Sequence, residues 1–182
     1  MKKIVIIRGK SGAGKTTISF ELAKVLPNFA FVDIWKIKEM FEPLNLKDRR
    51  HNKVAKSATY HIMREAIKKI GAINFVLQES KQSTVKKYLK DYLKKHNYKI
   101  YSFFLDVNLE NALKRNKARK KDTMPKKHFI DQSKEGLKNL DKEDILIDTS
   151  DKSLKQVINA ILKEIKEKRQ KHSGAKKIRS CV

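Results

Sequence analysis

The stretch IVIIRGKSGAGKTT, residues 4–17, predicts a strand, a glycine-rich loop and the start of a helix. The β-branched residues at 4–7 are typical of a buried strand. From Gly9 to Thr16 the sequence matches GxxxxGK followed by Ser or Thr at every fixed position. Glycines adopt backbone angles that other residues avoid, so the amide N–H groups of the loop can turn inward and bind phosphate oxygens. The stretch therefore predicts a site for a nucleoside triphosphate.

Individual loop residues have predicted contacts. Lys15 is expected to reach the β- and γ-phosphates, and Thr16 is expected to place its hydroxyl on Mg²⁺. A predicted helix at 14–26 would present its positive N-terminal end to the same anion. The residues predicted to contact the nucleotide here are Gly9, Lys10, Ser11, Gly12, Ala13, Gly14, Lys15, Thr16 and Thr17.

The 182 residues of the chain are enough for one α/β domain with a real core, which we expect to span residues 1–170. Residues 171–182 read as a basic, flexible tail that contains the only cysteine, Cys181, so no internal disulfide is expected. No apolar run approaches the length of a membrane span, and no secretory signal is evident. These features predict a cytoplasmic protein without membrane contact.

The net charge is +24, because 44 Lys and Arg residues face 20 Asp and Glu residues. A polyanionic partner such as DNA or RNA is one interpretation. The other is compositional bias, because lysines occur in nearly every predicted helix instead of in one block. The sequence leaves both open.

Strands and helices are predicted to alternate along the chain. Apolar runs predict strands at 1–8, 29–32, 73–77, 99–105 and 145–147. Helical periodicity predicts helices at 14–26, 36–41, 52–70, 83–95, 109–121, 124–140 and 152–168, with Gly71 closing the third. Repeated βα units imply a mostly parallel sheet with helices on both faces, a three-layer α/β/α architecture.

Functional residues of such sheets gather at the carboxyl ends of the strands. Asp33 follows the second strand, where it could take the proton of an attacking hydroxyl or simply cap the next helix. Glu79 follows the third strand, where it could hold Mg²⁺ through water or lie exposed in a loop. Both pairs of alternatives remain open.

Two arginines lie four residues apart on the basic helix after the fourth strand. This spacing puts Arg115 and Arg119 on one helix face, where they could compensate the charge of a transferring phosphoryl group. The alternative is an ordinary solvated face, since several lysines surround them.

The order of these features resembles the P-loop kinases of the nucleotide-kinase type, in the group with polynucleotide 5′-hydroxyl kinases, zeta-toxin-like kinases and adenylylsulfate kinases. The resemblance extends from Ile4 to about Ile165 and rests on four features. These are the phosphate loop, Asp33 with a basic residue three positions later, LDVNLE at 105–110, and IDTS at 147–150. It implies a five-stranded parallel sheet in the order 2-3-1-4-5, with a lid near 109–127.

The resemblance also implies roles for single residues. Asp33 would act as the catalytic base or, with Lys36, as a ligand of the substrate. Arg115 and Arg119 would contact the triphosphate, while Asp148 and Thr149 would lie near the adenine. The chain departs from the family pattern at Lys36, where Arg is usual, and at Gln78-Glu79-Ser80, where an Asp-centred motif is common.

A GTPase is not favoured, because the guanine-reading Asn-Lys-x-Asp motif is absent. The nearest match, residues 116–119, has Arg119 where the Asp must be. ATP with Mg²⁺ is therefore the expected nucleotide. Three functions follow: a kinase acting on a nucleic-acid 5′-OH, a small-molecule kinase for a nucleoside, nucleotide, sugar or antibiotic, or a nucleic-acid-binding ATPase without an acceptor.

Overall fold

The sheet is built around strand β1 (Lys2–Gly9), whose residues 4–7 are fully buried. The computed structural model describes residues 2–40, 49–79, 85–119 and 123–173. In this part of the chain five strands pair in parallel in the order β2-β3-β1-β4-β5. The other strands are β2 (Phe29–Asp33), β3 (Asn74–Gln78), β4 (Tyr98–Asp106) and β5 (Asp144–Asp148). The predicted fold class and strand order are confirmed.

Helices connect the strands and cover both faces of the sheet. They are α1 (Lys15–Val25), α2 (Ile34–Glu39), α3 (Arg49–Ile70), α4 (Val85–Lys95), α5 (Leu109–Lys117), α6 (Lys126–Glu135) and α7 (Leu154–Ser173). Gly71 ends α3 as predicted: it has a φ of 75°, and its amide donates to the Ile67 carbonyl over 3.1 Å. None of the helices in the described ranges is both long and apolar enough to cross a membrane.

Several helix ends differ from the predicted ones. Helix α2 begins two residues early, at Ile34, because the Asp33 side chain caps it. Helix α6 ends at Glu135 instead of residue 140, because Gly136 takes a φ of 55°. Helix α7 continues to Ser173, into the predicted tail. Residues 174–182, with Cys181, lie outside the described residues, as do 41–48, 80–84 and 120–122 of the predicted elements and lid.

Two apolar clusters form the core, one on each face of the sheet. On the first face, here called the α1 face, Val5 and Ile7 pack with side chains of α1, α5, α6 and α7. On the second, the α3 face, Ile4 and Ile6 pack with side chains of α3 and α4. The alternation of side chains along each strand thus assigns every strand residue to one of the two helix layers.

The carboxyl ends of the three strands nearest the loop are in register. Gln78 of β3 pairs with Ile7 of β1 on one side and with Asp33 of β2 on the other. Neighbouring strand residues in register point to the same face, and Ile7 belongs to the α1 face. Asp33 and Gln78 therefore lie side by side at the edge of the sheet that carries the glycine-rich loop.

Candidate active site

The glycine-rich loop has the conformation that its glycines permit. Gly9, Gly12 and Gly14 have φ angles of 137°, 82° and 83°. A Cβ added at Gly9 would lie 2.0 Å from the carbonyl oxygen of Leu105, and one at Gly12 would lie 2.9 Å from the Cα of Ala112. The loop therefore packs directly on the end of β4 and on α5, which only glycine allows at these positions.

Two lysines hold the loop together through charged contacts. The Nζ of Lys15 donates to the carbonyl of Lys10 over 2.9 Å. The Nζ of Lys10 in turn lies 2.6 Å from Oδ1 of Asp106, at the end of β4. Thr16 and Thr17, in the first turn of α1, are exposed, so the positive end of the helix is accessible to a ligand. This arrangement fits a phosphate chain seated over the loop.

Arg115 contacts the loop from outside. Its guanidinium donates to the Gly12 carbonyl (3.1 Å), the Thr149 hydroxyl (3.1 Å) and the carbonyls of Thr149 (2.5 Å) and Ser150 (3.2 Å). Arg119 lies beyond the end of α5 and is exposed. The two arginines therefore have different surroundings, although the spacing predicted one shared face. Their contact with a triphosphate stays a prediction.

The turn after β5 is tied to the same loop. The Thr149 amide donates to the Asp106 carbonyl over 2.9 Å, and its buried hydroxyl lies 2.9 Å from that carbonyl and 3.3 Å from the carbonyl of Ala13. Asp148 is exposed and shapes the turn, because its carboxylate accepts from the Ser150 amide and hydroxyl. These bonds hold the pKa of Asp148 below its ordinary value. The adenine contacts of Asp148 and Thr149 stay a prediction.

Asp33 is a buried carboxylate at the end of β2. Its Oδ1 accepts the amide hydrogen of Trp35 over 2.9 Å, so the predicted helix cap is present. Burial raises the pKa of Asp33 above its ordinary value, while the Trp35 bond and the charges of Lys36 and Lys15 partly oppose this. The Asp33 carboxylate therefore interacts electrostatically with Lys15, as expected of a group near bound phosphates. Capping does not exclude the predicted role as a base.

The structure distinguishes between the two alternatives left open for Glu79 at the end of β3. Glu79 is only 3% exposed, and its amide donates to the Ile7 carbonyl over 2.9 Å, so the alternative of an exposed loop residue is wrong. Its metal-binding role stays a prediction. Gln78, to which the sequence assigned no role, pairs with Asp33 in the sheet. Its Oε1 is buried, and no hydrogen-bond partner for it occurs in the described ranges. Its place next to Asp33 depends on strand register, which no motif revealed.

A second contact missed by sequence reasoning joins α6 to the loop. The Ser11 amide donates to Oε1 of Gln132 over 2.8 Å, and the Ser11 hydroxyl lies 2.9 Å from Nε2 of His128. Gln132 Nε2 also lies 3.1 Å from the Ser11 hydroxyl. His128 and Gln132 are four residues apart, so they share one helix face. This spacing was the only sequence signal for their common contact with Ser11. Helix α6 thus braces the outer side of the loop.

Residues 5–145 match the family model described as an AAA domain. The chain belongs to the AAA domain family. No curated protein matches this AAA domain in sequence. Together with the solved structures below, the match confirms the resemblance to P-loop kinases.

Three solved structures share the fold of this AAA domain. The tunicamycin resistance protein of Deinococcus radiodurans is 19% identical with a TM-score of 0.65, over 91% of this chain and 96% of that one. A gluconokinase from Sinorhizobium meliloti 1021 is 18% identical with a TM-score of 0.55, over 94% and 97%. A chain of the Pnkp1/Rnl/Hen1 RNA repair complex is 16% identical with a TM-score of 0.53, over 76% of this chain and 44% of that one. At these identities the likeness concerns the fold alone.

Proposed function

We propose that this protein is an ATP-dependent kinase that transfers the γ-phosphoryl group to a hydroxyl, and that the acceptor is the 5′-OH of a nucleic acid. The observation that carries the proposal is the buried carboxylate of Asp33. It lies at the end of β2, and only β3 separates β2 from β1, the strand that leads into the phosphate loop. The charge of Lys15 in that loop lowers the pKa of Asp33, so the two groups interact. A motor or switch ATPase has no need of a buried carboxylate on the acceptor side.

The proposed reaction is a single displacement. The acceptor oxygen forms a bond to the γ-phosphorus, the bond between that phosphorus and the β–γ bridging oxygen breaks, and ADP leaves. Asp33 takes the acceptor proton, and the pKa raised by burial makes it a stronger base than an exposed aspartate. Lys15 and the loop amides balance the phosphate charge as it moves toward the leaving oxygen.

The chain's oxygen donors fit Mg²⁺ held largely by phosphate and water. The Thr16 hydroxyl would hold the ion, with Glu79 as the predicted water-mediated partner. No cluster of three His, Cys, Asp or Glu side chains suited to a metal occurs in the described ranges, and Mg²⁺ in kinase sites uses few protein ligands. When bound, Mg²⁺ supplies charge neutralisation to the phosphates. The exposed first turn of α1 leaves room for it.

Two observations support a nucleic-acid acceptor. The net charge is +24, and helix α3, which packs against α2, exposes Lys53 and, towards its C-terminal end, Arg64, Lys68 and Lys69. Backbone phosphates release counterions when they meet such a surface, so binding would weaken as salt rises. One structure with this fold belongs to a complex named for RNA repair.

A small-molecule kinase is the second candidate. The gluconokinase matches this chain over 97% of its own length, so a chain of this size and fold is sufficient to phosphorylate a sugar acid. In that case the lysines are compositional, and activity would not depend strongly on salt.

A transfer assay with γ-labelled ATP and Mg²⁺ tests the proposal. It offers 5′-OH DNA, 5′-OH RNA and a panel of metabolites in parallel, at low and at high salt. Label on an oligonucleotide that fades with salt supports the proposal. Label only on a metabolite replaces it with the second candidate, and free phosphate alone indicates an ATPase.

Matched variants separate chemistry from folding. Asp33→Asn keeps an oxygen that can cap α2 but loses the base, while Asp91→Asn changes an exposed carboxylate on α4. We expect the first to abolish transfer and the second to leave it intact. Lys15→Ala should abolish transfer by every route, which excludes a contaminating kinase.

A further inference from the structure

The only tryptophan of the chain, Trp35, lies two residues after Asp33 and is 47% exposed. A half-exposed indole so close along the chain to a buried carboxylate offers a large apolar face to a ligand that approaches that carboxylate. The position is well defined, because the Trp35 amide donates to the carboxylate of Asp33 and begins α2. The backbone at Trp35 is therefore fixed relative to the carboxylate.

A buried cation supports one side of the indole. The Nζ of Lys38 lies 4.5 Å from the ring centroid, and Lys38 is a largely buried residue in the same short helix. This cation–π contact holds the ring where it is and keeps a positive charge behind it. Lys36, on the next position, is exposed and close enough to lower the pKa of Asp33. The result is a half-exposed aromatic ring with one cation against it and a second cation near the neighbouring carboxylate.

Such a surface suits a planar aromatic group attached to phosphates. Nucleobases stack on indole rings, and adjacent cations attract the backbone that carries them. A puckered sugar ring stacks over a smaller area than a planar base and depends more on additional polar partners. In a nucleotide, one ribose separates the base from the 5′-OH, so a platform for the base belongs near the carboxylate that would take the hydroxyl proton. Trp35 follows Asp33 by two residues, and its amide is bonded to that carboxylate.

We propose that Trp35 is the stacking platform for the nucleobase of the acceptor, whether a free nucleoside or the end of a strand. The inference rests on the proposed function, because it assumes that the hydroxyl beside Asp33 is the one phosphorylated. It adds the part of the acceptor that is recognised and the residue that recognises it. Lys38 then acts as a positioning residue for the ring.

The fluorescence of the single tryptophan reports this contact without any transfer reaction. The wild-type protein is first saturated with a non-hydrolysable ATP analogue, and the indole is excited at the red edge of its absorption, where bases absorb little. The titrants are a 5′-OH oligonucleotide, the same oligonucleotide with an abasic 5′ residue, a free nucleoside and a sugar acid. We expect quenching by the first and a clear loss of quenching with the abasic strand.

The other titrants identify the source of the base. Quenching by the nucleoside as well as the oligonucleotide indicates that the base alone is sufficient, whereas quenching by the oligonucleotide only indicates a strand end. Equal quenching by intact and abasic strands, quenching by the sugar acid alone, or no quenching by any titrant would overturn the platform. Since no phosphoryl transfer is involved, quenching without activity would reject the proposed reaction but keep the platform.

Kinetics of variants give the second readout. Trp35→Ala should raise the KM for the acceptor by about tenfold or more with little change in kcat, and Trp35→Phe should recover most of the loss. Phe20→Ala is the matched control, because Phe20 is 44% exposed with the Nζ of Lys24 4.3 Å from its ring, but lies in the middle of α1. An unchanged acceptor KM in Trp35→Ala, or an equal rise in Phe20→Ala, would contradict the inference.

Discussion

Arg115 donates a hydrogen bond to the carbonyl oxygen of Gly12 over 3.1 Å, across 103 residues of sequence. The same guanidinium reaches the turn after β5 at Thr149, so it joins three segments that meet only in the folded chain. The glycine-rich loop is thus stabilised by a hydrogen bond from a residue of α5.

Replacing Arg115 should affect the loop before it affects chemistry. Arg115→Lys retains the charge but cannot donate to all these oxygens at once, and we expect the free energy of unfolding to fall by about 1–3 kcal/mol. Nucleotide affinity should weaken in parallel. Urea unfolding and ATP titration measure the two effects. Arg119→Lys, at an exposed site that is also predicted to contact the triphosphate, is the comparison and should leave the free energy of unfolding unchanged. A larger loss of ATP affinity in the Arg119 variant would assign the phosphate contact to that residue.

The pH dependence of transfer should report Asp33. The base must be ionised, so kcat/KM should fall as pH decreases through a pKa above the ordinary aspartate value. Lys36→Gln removes a positive charge that lowers this pKa, and we expect the acidic limb of the profile to move to higher pH. A limb that stays in place in Lys36→Gln would mean that another group controls it.

The raised pKa of Asp33 should make the protein more stable at low pH, although low pH reduces transfer. Because folding raises the pKa of Asp33, the folded state binds its proton more tightly than the unfolded state does. Protonation therefore favours the folded state, and this contribution is lost as pH rises through the folded pKa. As the pH is lowered, the free energy of unfolding should therefore fall more steeply for Asp33→Asn than for the wild type, because the variant lacks this contribution. Urea unfolding at several pH values tests this, and parallel pH curves would contradict it.

The buried pair of Arg8 and Asp144 should matter for stability more than for activity. Arg8 is 1% exposed and bonds Asp144, the Asn139 carbonyl and Asp141. Burial alone would raise the pKa of Asp144, but hydrogen bonds from Arg8 and Ser102 lower it below its ordinary value. This stabilisation is present above the unfolded pKa of Asp144 and is lost as pH falls through the folded pKa.

Asp144→Asn leaves the Arg8 charge buried without its main partner. We expect a loss of about 3–5 kcal/mol in the free energy of unfolding, measured in urea at neutral pH. Asp141→Asn, at a half-exposed partner of the same arginine, should cost much less. Similar losses in the two variants would show that burial does not dominate the pair.

Helix α6 should stabilise the loop through Gln132. Gln132→Ala removes the acceptor of the Ser11 amide, and we expect ATP affinity to fall while the free energy of unfolding decreases by about 1 kcal/mol. Asp131→Ala, at the exposed neighbouring position, is the control. Isothermal titration with ATP measures the affinity, and equal affinities in the two variants would reject the bracing role.

Local features of the chain were predictable because their causes are local. The phosphate loop at 9–16 depends on glycine backbone freedom and on neighbouring residues. The strands and helices follow from periodicities within single segments, and Gly71 ends α3 by its own φ angle. The strand order came from the resemblance that these motifs carry, and the sheet confirms it.

The loop, the alternation of strands and helices, and the position of Asp33 at the end of its strand could be read from the sequence, because each arises from residues adjacent in the chain. Only the folded chain shows the partner of Arg115, the burial of Glu79, the pairing of Asp33 with Gln78, and the contact of Gln132 with Ser11. These depend on strand register and on helices packing from distant segments. Such contacts exist only once the sheet has brought the segments together, so the sequence does not show which segments meet.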